Sequence, residues 1–89
     1  MCWVMRMSII ILTEKDGWKR EVQVDQITWI LPKPNGDGSI VHVVDSKINH
    51  GAEIKYQCNE SPSDIAASMQ AVGKNVISAG KGYFIQNRT

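Results

Sequence analysis

The stretch that most constrains the fold is residues 52–64, where an alternating strand runs directly into a capped helix start. Apolar and polar residues alternate over residues 52–58, the period of two that a strand adopts when one face of its sheet is dry and the other wet. Ser61 suits a helix N-cap, Pro62 suits the first helical position because it lacks an N–H, and Asp64 suits the positive first turn. The stretch therefore predicts a strand followed by a helix.

The predicted helix spans about residues 62–72 and carries a narrow apolar stripe. Ile65, Met69 and Val72 follow one another at i, i+4 and i+7, with Ala66 beside them. This spacing is typical of a helix that packs one side against a core. We expect the stripe to lie on the dry face of the preceding sheet.

Strand signals recur along the rest of the chain. Residues 9–12 are apolar without interruption, which predicts a central strand covered on both faces. Residues 32–38 are rich in proline and glycine and predict an exposed loop between antiparallel strands. The other strand segments are 18–24, 27–31, 39–45, 76–78 and 83–86. The sequence thus predicts an α+β fold that is mainly β: a small antiparallel sheet or partial barrel of about five strands, one helix, and a short final strand or arm.

The 89 residues of the chain fit one domain. We predict an N-terminal extension over residues 1–7, with Met1, Met5 and Met7 as alternative starts, and a single β-rich domain over residues 8–89. Its C-terminal arm begins at about residue 73. The apolar run near the N-terminus is far too short to span a bilayer, so we expect no membrane association.

The two cysteines, Cys2 and Cys58, predict reduced thiols and a cytoplasmic location. No group of residues points to catalysis, a metal or a cofactor. His42 and His50 have no cysteine or carboxylate at metal-ligand spacing. Residues 73–82 lack the spacing and the hydroxyl residue of a phosphate loop. We therefore predict a protein that is not an enzyme and needs no cofactor.

The predicted strands at residues 9–12 and 39–45 are apolar on both sides. One helix can cover only one face of a sheet. We expect the face opposite the helix to present apolar side chains. A contiguous apolar patch on a small protein marks an interface, whereas a partial barrel would close both faces internally. The predicted residues for binding a protein partner or a second copy are Ile30, Val41, Val43, Tyr83, Phe84 and Ile85.

Nucleic acid is the alternative partner. No acidic residue occurs from residue 65 onward, whereas Lys74, Lys81 and Arg88 do occur there. The aromatic residues of the strands could stack on bases or fill the core. The net charge of only +1 argues against the strong basic field of a dedicated nucleic-acid binder.

Four runs of the sequence resemble the small FlbD/SwrD-type flagellar protein family. They are residues 12–17 (Leu-Thr-Glu-Lys-Asp-Gly), 24–30 (Val-Asp-Gln-Ile-Thr-Trp-Ile), 38–41 (Gly-Ser-Ile-Val) and 56–65 (Tyr-Gln-Cys-Asn-Glu-Ser-Pro-Ser-Asp-Ile). Members of that family open with a Leu-Thr strand and a glycine turn and finish with a Glu-Ser-x-x-Glu-Ile helix start. The resemblance covers about residues 8–70 and implies the same order of strands and helix. The loop at residues 47–51 and the tail after Val72 depart from the family pattern.

The same order of elements is similar to part of the LytTR DNA-binding domain, whose closing strand residues 84–88 (Phe-Ile-Gln-Asn-Arg) resemble. We predict a non-enzymatic protein-binding or assembly module that self-associates or docks on a larger cytoplasmic protein. The alternatives are a nucleic-acid-binding module of the LytTR or single-strand kind, and an inhibitor encoded by a phage or mobile element.

Overall fold

A computed structural model describes residues 8–44 and 53–86 of the chain. Over these residues it contains one α-helix, α1 (Pro62–Ala71), and a 3-10 turn at Val24–Gln26. The strands are β1 (Ile9–Thr13), β2 (Lys19–Gln23), β3 (Ile27–Pro32), β4 (Ser39–Val44), β5 (Glu53–Cys58), β6 (Asn75–Ala79) and β7 (Gly82–Gln86). The prediction of a small, mainly β, α+β fold is confirmed.

The strands form two antiparallel sheets. Strands β1 and β2 make a separate hairpin, and the other five strands form an open sheet in the order β5-β4-β3-β7-β6. The alternative of a partial barrel is therefore wrong. The sequence predicted either a short strand or an extended arm at the end of the domain. The structure has a strand, β7, which lies inside the sheet between β3 and β6.

One side of the five-stranded sheet, here called the inner face, carries the core. Antiparallel pairing sets Ile30 opposite Val41 and Val41 opposite Tyr56, so these side chains point to the same side. Helix α1 packs on β3, β6 and β7, and the β1–β2 hairpin adds its own apolar residues to the same cluster. The buried cluster comprises Leu12, Val22, Val24, Ile27, Ile30, Val41, Val43, Cys58, Ile65, Met69 and Ile85. Burial of such side chains, worth about 1.5–3 kcal/mol each, holds the helix and the hairpin on the sheet.

Hydrogen bonds attach the hairpin to the end of β5. The backbone N–H of Thr13 donates to both carboxylate oxygens of Glu60, at 2.9 and 3.1 Å. The N–H of Asn59 donates to the carbonyl oxygen of Thr13 at 2.7 Å, and the Asn59 side-chain amide donates to the carbonyl oxygen of Glu14 at 3.2 Å. The turn between β5 and α1 therefore fixes the position of β1.

Helix α1 begins and ends at the residues that its sequence favours. The Oγ of Ser61 accepts the N–H of Asp64 at 3.2 Å, which satisfies one of the free amides of the first turn. Gly73 takes a φ of 90°, and the N–H of Lys74 donates to the carbonyl oxygen of Met69 at 3.0 Å, which closes the C-terminus. The predicted helix is thus confirmed. Its apolar stripe is confirmed except at Val72, whose side chain is 43% exposed because the helix has already ended there.

The prediction for the first strand was wrong. Strand β1 belongs to the two-stranded hairpin and is not central. Leu12 faces the core, whereas Ile9 and Ile11 are 49% and 55% exposed. Trp18, predicted to begin the second strand, lies just before β2 and is 71% exposed. An apolar run therefore did not imply burial on both faces here.

Several predictions fall outside the described residues: the N-terminal extension, Cys2, the loop at 47–51 with His50, and Arg88. Within the described ranges, the single helix has ten residues, and no helix there has the length and apolar character needed to cross a bilayer.

Candidate protein-binding surface

The other side of the five-stranded sheet, here called the outer face, presents apolar side chains. Among residues 8–44 and 53–86, the helix and the hairpin pack on the inner face, and no element covers the outer one. Its apolar residues are Trp29 and Leu31 on β3, Ile40 and Val44 on β4, Ile77 on β6 and Phe84 on β7. Most are half-buried by their neighbours in the sheet, and Ile77 is 41% exposed.

The strand register makes the outer face one continuous surface. Ile77 lies opposite Phe84, and Phe84 lies opposite Trp29. Trp29 in turn lies opposite His42. Because directly opposed side chains of antiparallel strands are close enough to contact, the row crosses β6, β7, β3 and β4 without a break.

An aromatic pair lies at the middle of this row. The ring centroids of Trp29 and Phe84 are 5.1 Å apart, and the ring planes are tilted by 58°. Tilted pairs at this distance contribute about 0.5–1.5 kcal/mol beyond the area that they bury. The pair therefore makes the centre of the outer face apolar and aromatic, and aromatic residues are enriched among the anchors of binding surfaces.

A shallow depression lies beside the aromatic pair. It has a volume of about 310 Å³ and is lined by Trp29, Leu31, His42 and Glu53. The Nδ1 atom of His42 lies 3.0 Å from Oε2 of Glu53, so that a polar pair borders an apolar floor. Such a depression can receive an apolar side chain of a partner while its rim offers a hydrogen-bonding group.

Polar residues border the outer face along both edges of the sheet. On β5, Glu53, Lys55 and Gln57 alternate toward this side. At the opposite edge, the Asn75 amide donates to Oε1 of Gln86 at 2.8 Å. An apolar centre within a polar rim is the usual composition of a protein interface.

Most of the residues predicted for the interface lie on the inner face and not on the face opposite the helix. Ile30, Val41 and Val43 are buried in the core on the inner face, beneath the helix and the hairpin. Ile85 is also buried in that core. A partner cannot reach these side chains without unfolding the domain.

Of the remaining predicted residues, Tyr83 packs against the core, and Phe84 alone lies on the outer face. An uncovered apolar sheet face was expected, and the described residues have one. Its members other than Phe84 were missed: Trp29, Leu31, Ile40, Val44 and Ile77.

A β-bulge in β3 explains part of this error. Simple alternation predicts Ile27, Trp29 and Leu31 on one face, but the pairing with β4 shifts between Ile27 and Trp29. The extra residue lets both Ile27 and Ile30 point into the core while Trp29 turns outward. A bulge has no signal in this sequence, since no glycine marks it.

Of the three basic residues proposed for the nucleic-acid alternative, the structure describes Lys74 and Lys81. The ammonium group of Lys74 is hydrogen-bonded to Asp25, whereas Lys81 is exposed in the turn between β6 and β7. On the hairpin, the guanidinium of Arg20 binds Glu14 and lies 4.6 Å from the centroid of the Tyr56 ring. The hydrogen bond to Glu14 raises the pKa of Arg20 despite the opposing effect of burial. Lys74 and Arg20 are therefore already paired within the chain.

The buried thiol of Cys58 is protonated at neutral pH. Burial, with a further contribution from the carboxylate of Glu60, raises the pKa of Cys58 to about 11. A thiol of this kind is a poor nucleophile. In the part of the chain that the structure describes, no three side chains of His, Cys, Asp or Glu come together as a metal site.

Comparison with known proteins adds no relative: no family model, curated protein or solved structure matches the chain. The resemblances to the FlbD/SwrD-type family and to the LytTR domain stay predictions. The fold and the outer face define a small β-rich α+β domain with an apolar sheet face that no described element covers.

Proposed function

We propose that the protein is a non-enzymatic binding module that takes part in the assembly of a larger protein complex through the outer face of its sheet. The observation that carries this proposal is the continuous row of side chains from Ile77 through Phe84 and Trp29 to His42 on β4, which is apolar in its first three members and bordered by polar residues. Apolar patches of this kind on small domains are characteristic of protein interfaces. The cytoplasmic location predicted from the two cysteines belongs to the same proposal.

The charge of the outer face favours a protein partner over a nucleic acid. On β5, Glu53 and Lys55 lie toward this face and have opposite charges. Glu53 is further paired with His42. Binding to a phosphate backbone needs several unpaired cations on one surface. A nearly neutral apolar face suits another apolar surface instead.

The test compares one charged substitution on the outer face with a matched one elsewhere. Ile40→Lys places a charge on the outer face, opposite Leu31, and Ile11→Lys places the same charge on the exposed side of the hairpin. The oligomeric state of each purified variant is measured by size-exclusion chromatography with light scattering. Partners are then captured from nuclease-treated lysate and compared between variants by mass spectrometry.

We expect Ile40→Lys to lose self-association or its captured proteins, and Ile11→Lys to retain them. Far-UV circular dichroism verifies that both variants are folded. If Ile40→Lys keeps both the oligomeric state and the captured proteins of the parent, the outer face is not the binding surface. If capture disappears on nuclease treatment for every variant, the nucleic-acid alternative is supported instead.

A further inference from the structure

The two edges of the five-stranded sheet differ in how they are protected. An edge strand has unpaired N–H and C=O groups, and proteins commonly block such edges with charged side chains, prolines or covering segments. Edge strand β5 carries Glu53 and Lys55. Edge strand β6, with the sequence Asn-Val-Ile-Ser-Ala, has no charged residue and no proline. The edge at β6 therefore lacks the usual side-chain barriers to pairing.

Neighbouring groups leave this edge accessible. Lys74, directly before β6, is bonded to Asp25 of its own chain, so its charge is already engaged. The hairpin edge at β1 is different, because the N–H of Thr13 donates to Glu60 and its carbonyl oxygen accepts the N–H of Asn59. Within the described ranges, β6 is thus the edge of the larger sheet best suited to receive another strand.

The register of the β6–β7 hairpin determines which backbone groups point outward. Ala79 and Gly82 flank a two-residue turn and face each other across the hairpin. The residues that flank such a turn form a hydrogen-bonded pair, and hydrogen-bonded pairs alternate with non-bonded ones along antiparallel strands. The backbone groups of Ile77 accordingly point to β7, whereas those of Val76 and Ser78 point to the free edge.

We propose that β6 pairs antiparallel with β6 of a second copy of the chain, about a two-fold axis at Ile77. In this register Val76 of each copy lies opposite Ser78 of the other. Each of these two pairs exchanges two backbone hydrogen bonds, so the interface has about four. The two Ile77 side chains meet in a non-bonded pair, where opposed side chains are closest. A single residue at the centre of a symmetric interface contacts its own equivalent.

The pairing also explains the exposure of Ile77. The two-fold axis is perpendicular to the sheet, so the outer faces of both copies lie on the same side of one continuous sheet. Ile77, 41% exposed in the single chain, then lies between Phe84 of its own chain and Ile77 of the second copy. The apolar row of the outer face continues across the axis. This inference rests on the proposed function, for which it names a second copy of the chain as a partner. The backbone hydrogen bonds of this dimer form at the sheet edge and not on the outer face.

The symmetry provides a test that a different interface would not pass. Ile77→Lys and Ile77→Glu each place like charges opposite one another in a symmetric pair, whereas a one-to-one mixture places opposite charges together. We expect each variant alone to dimerise at least about tenfold more weakly than the parent. The mixture should restore dimers of twice the 9.9 kDa chain mass. Light scattering over a range of protein concentrations measures both.

A backbone variant checks the same pairing independently. Ser78→Pro removes a backbone N–H that points to the free edge, and an edge strand tolerates such a proline without leaving its sheet. Ser78→Ala keeps this N–H and is the control. Ser78→Pro should be monomeric and folded by circular dichroism, and Ser78→Ala dimeric. A parent that is monomeric at all concentrations, or a mixture of the Ile77 variants no more associated than either alone, overturns the edge pairing.

The outer-face variant separates this inference from the proposed function. If Ile40→Lys dissociates the protein while the mixture of Ile77 variants does not restore dimers, the outer face is the binding surface and the edge pairing is wrong. If Ile40→Lys still dimerises through β6 but captures no partner, both proposals are supported. If the Ile77 mixture recovers while Ile40→Lys behaves as the parent in every assay, the edge pairing is supported and the face proposal fails.

Discussion

Replacing Glu60 by Gln should weaken the attachment of the β1–β2 hairpin to the sheet. The carboxylate of Glu60 accepts the backbone N–H of Thr13 through both oxygens, at 2.9 and 3.1 Å. Glu60→Gln preserves the shape of the side chain and one acceptor oxygen but removes the charge. The variant therefore isolates the contribution of the charge to this contact.

The expected loss follows from the difference between charged and neutral hydrogen bonds. A hydrogen bond to an ionised group contributes about 1.5–3 kcal/mol to stability, and a neutral one about 0.5–1.5 kcal/mol. Because Glu60 is only partly buried, solvent screens the charge and the lower ends of these ranges apply. We expect Glu60→Gln to lower the free energy of unfolding by about 1 kcal/mol at neutral pH, measured by urea denaturation.

The pH dependence of this loss distinguishes charge from shape. Burial alone would raise the pKa of Glu60, but its hydrogen bonds, chiefly with Thr13, lower the pKa below the ordinary value of 4.5. The stabilisation is therefore fully present above pH 4.5 and is lost as the pH falls through the lower folded pKa. We expect the difference between parent and variant to shrink toward zero in strongly acidic urea titrations.

Exposed Glu21 on β2 supplies the matched control. Glu21→Gln should change the free energy of unfolding by less than about 0.5 kcal/mol at neutral pH, as surface substitutions usually do. A Glu60→Gln loss that stays constant between neutral and strongly acidic pH would refute the reasoning, because the charge would then contribute nothing.

Three further substitutions or reactions test the packing. Leu12→Ala should lower the free energy of unfolding in urea by about 2–5 kcal/mol, because the side chain is 1% exposed; a loss below about 1 kcal/mol would mean that the hairpin is not packed on the sheet. Gly38→Ala should destabilise more than Gly36→Ala in the same assay, since both have positive φ but only at Gly38 would a Cβ collide with the carbonyl oxygen of Cys58. In a Cys2→Ser variant, Ellman's reagent should label Cys58 only slowly at about pH 8 until urea is added, because burial raises its pKa to about 11; labelling at the rate of a free thiol would contradict this.

The local elements of the fold could be predicted because their signals lie in adjacent residues. The cap at Ser61, the proline at Pro62 and the glycine at Gly73 specify where α1 begins and ends without reference to the rest of the chain. The two glycines of residues 79–82 similarly mark the turn of the β6–β7 hairpin. Turn and cap chemistry depends on backbone conformation over a few residues, which sequence patterns describe well.

The assignment of faces could not be predicted in the same way. Whether Val41 lies inside or outside depends on its pairing with Tyr56 and on the side that α1 and the hairpin occupy. A shift of one residue in register reverses the face of every side chain in a strand. Because β4 is apolar on both sides, its own sequence was compatible with either orientation. The candidate binding face was therefore predicted to exist but was placed on the wrong side of the sheet.

The position of β7 next to β3 affects when the sheet can form during synthesis of the chain. Trp29 in β3 pairs with Phe84 in β7, although the two strands are separated in sequence by β4, β5, α1 and β6. While the polypeptide is being synthesised, β3 therefore lacks one of its two neighbours until β7 has left the ribosome. Pairings between residues so far apart also slow folding, because a long loop must close before these contacts form. We therefore expect the sheet to assemble late, as one cooperative event after translation of β7, with nascent chains that stop before Gly82 dependent on chaperones.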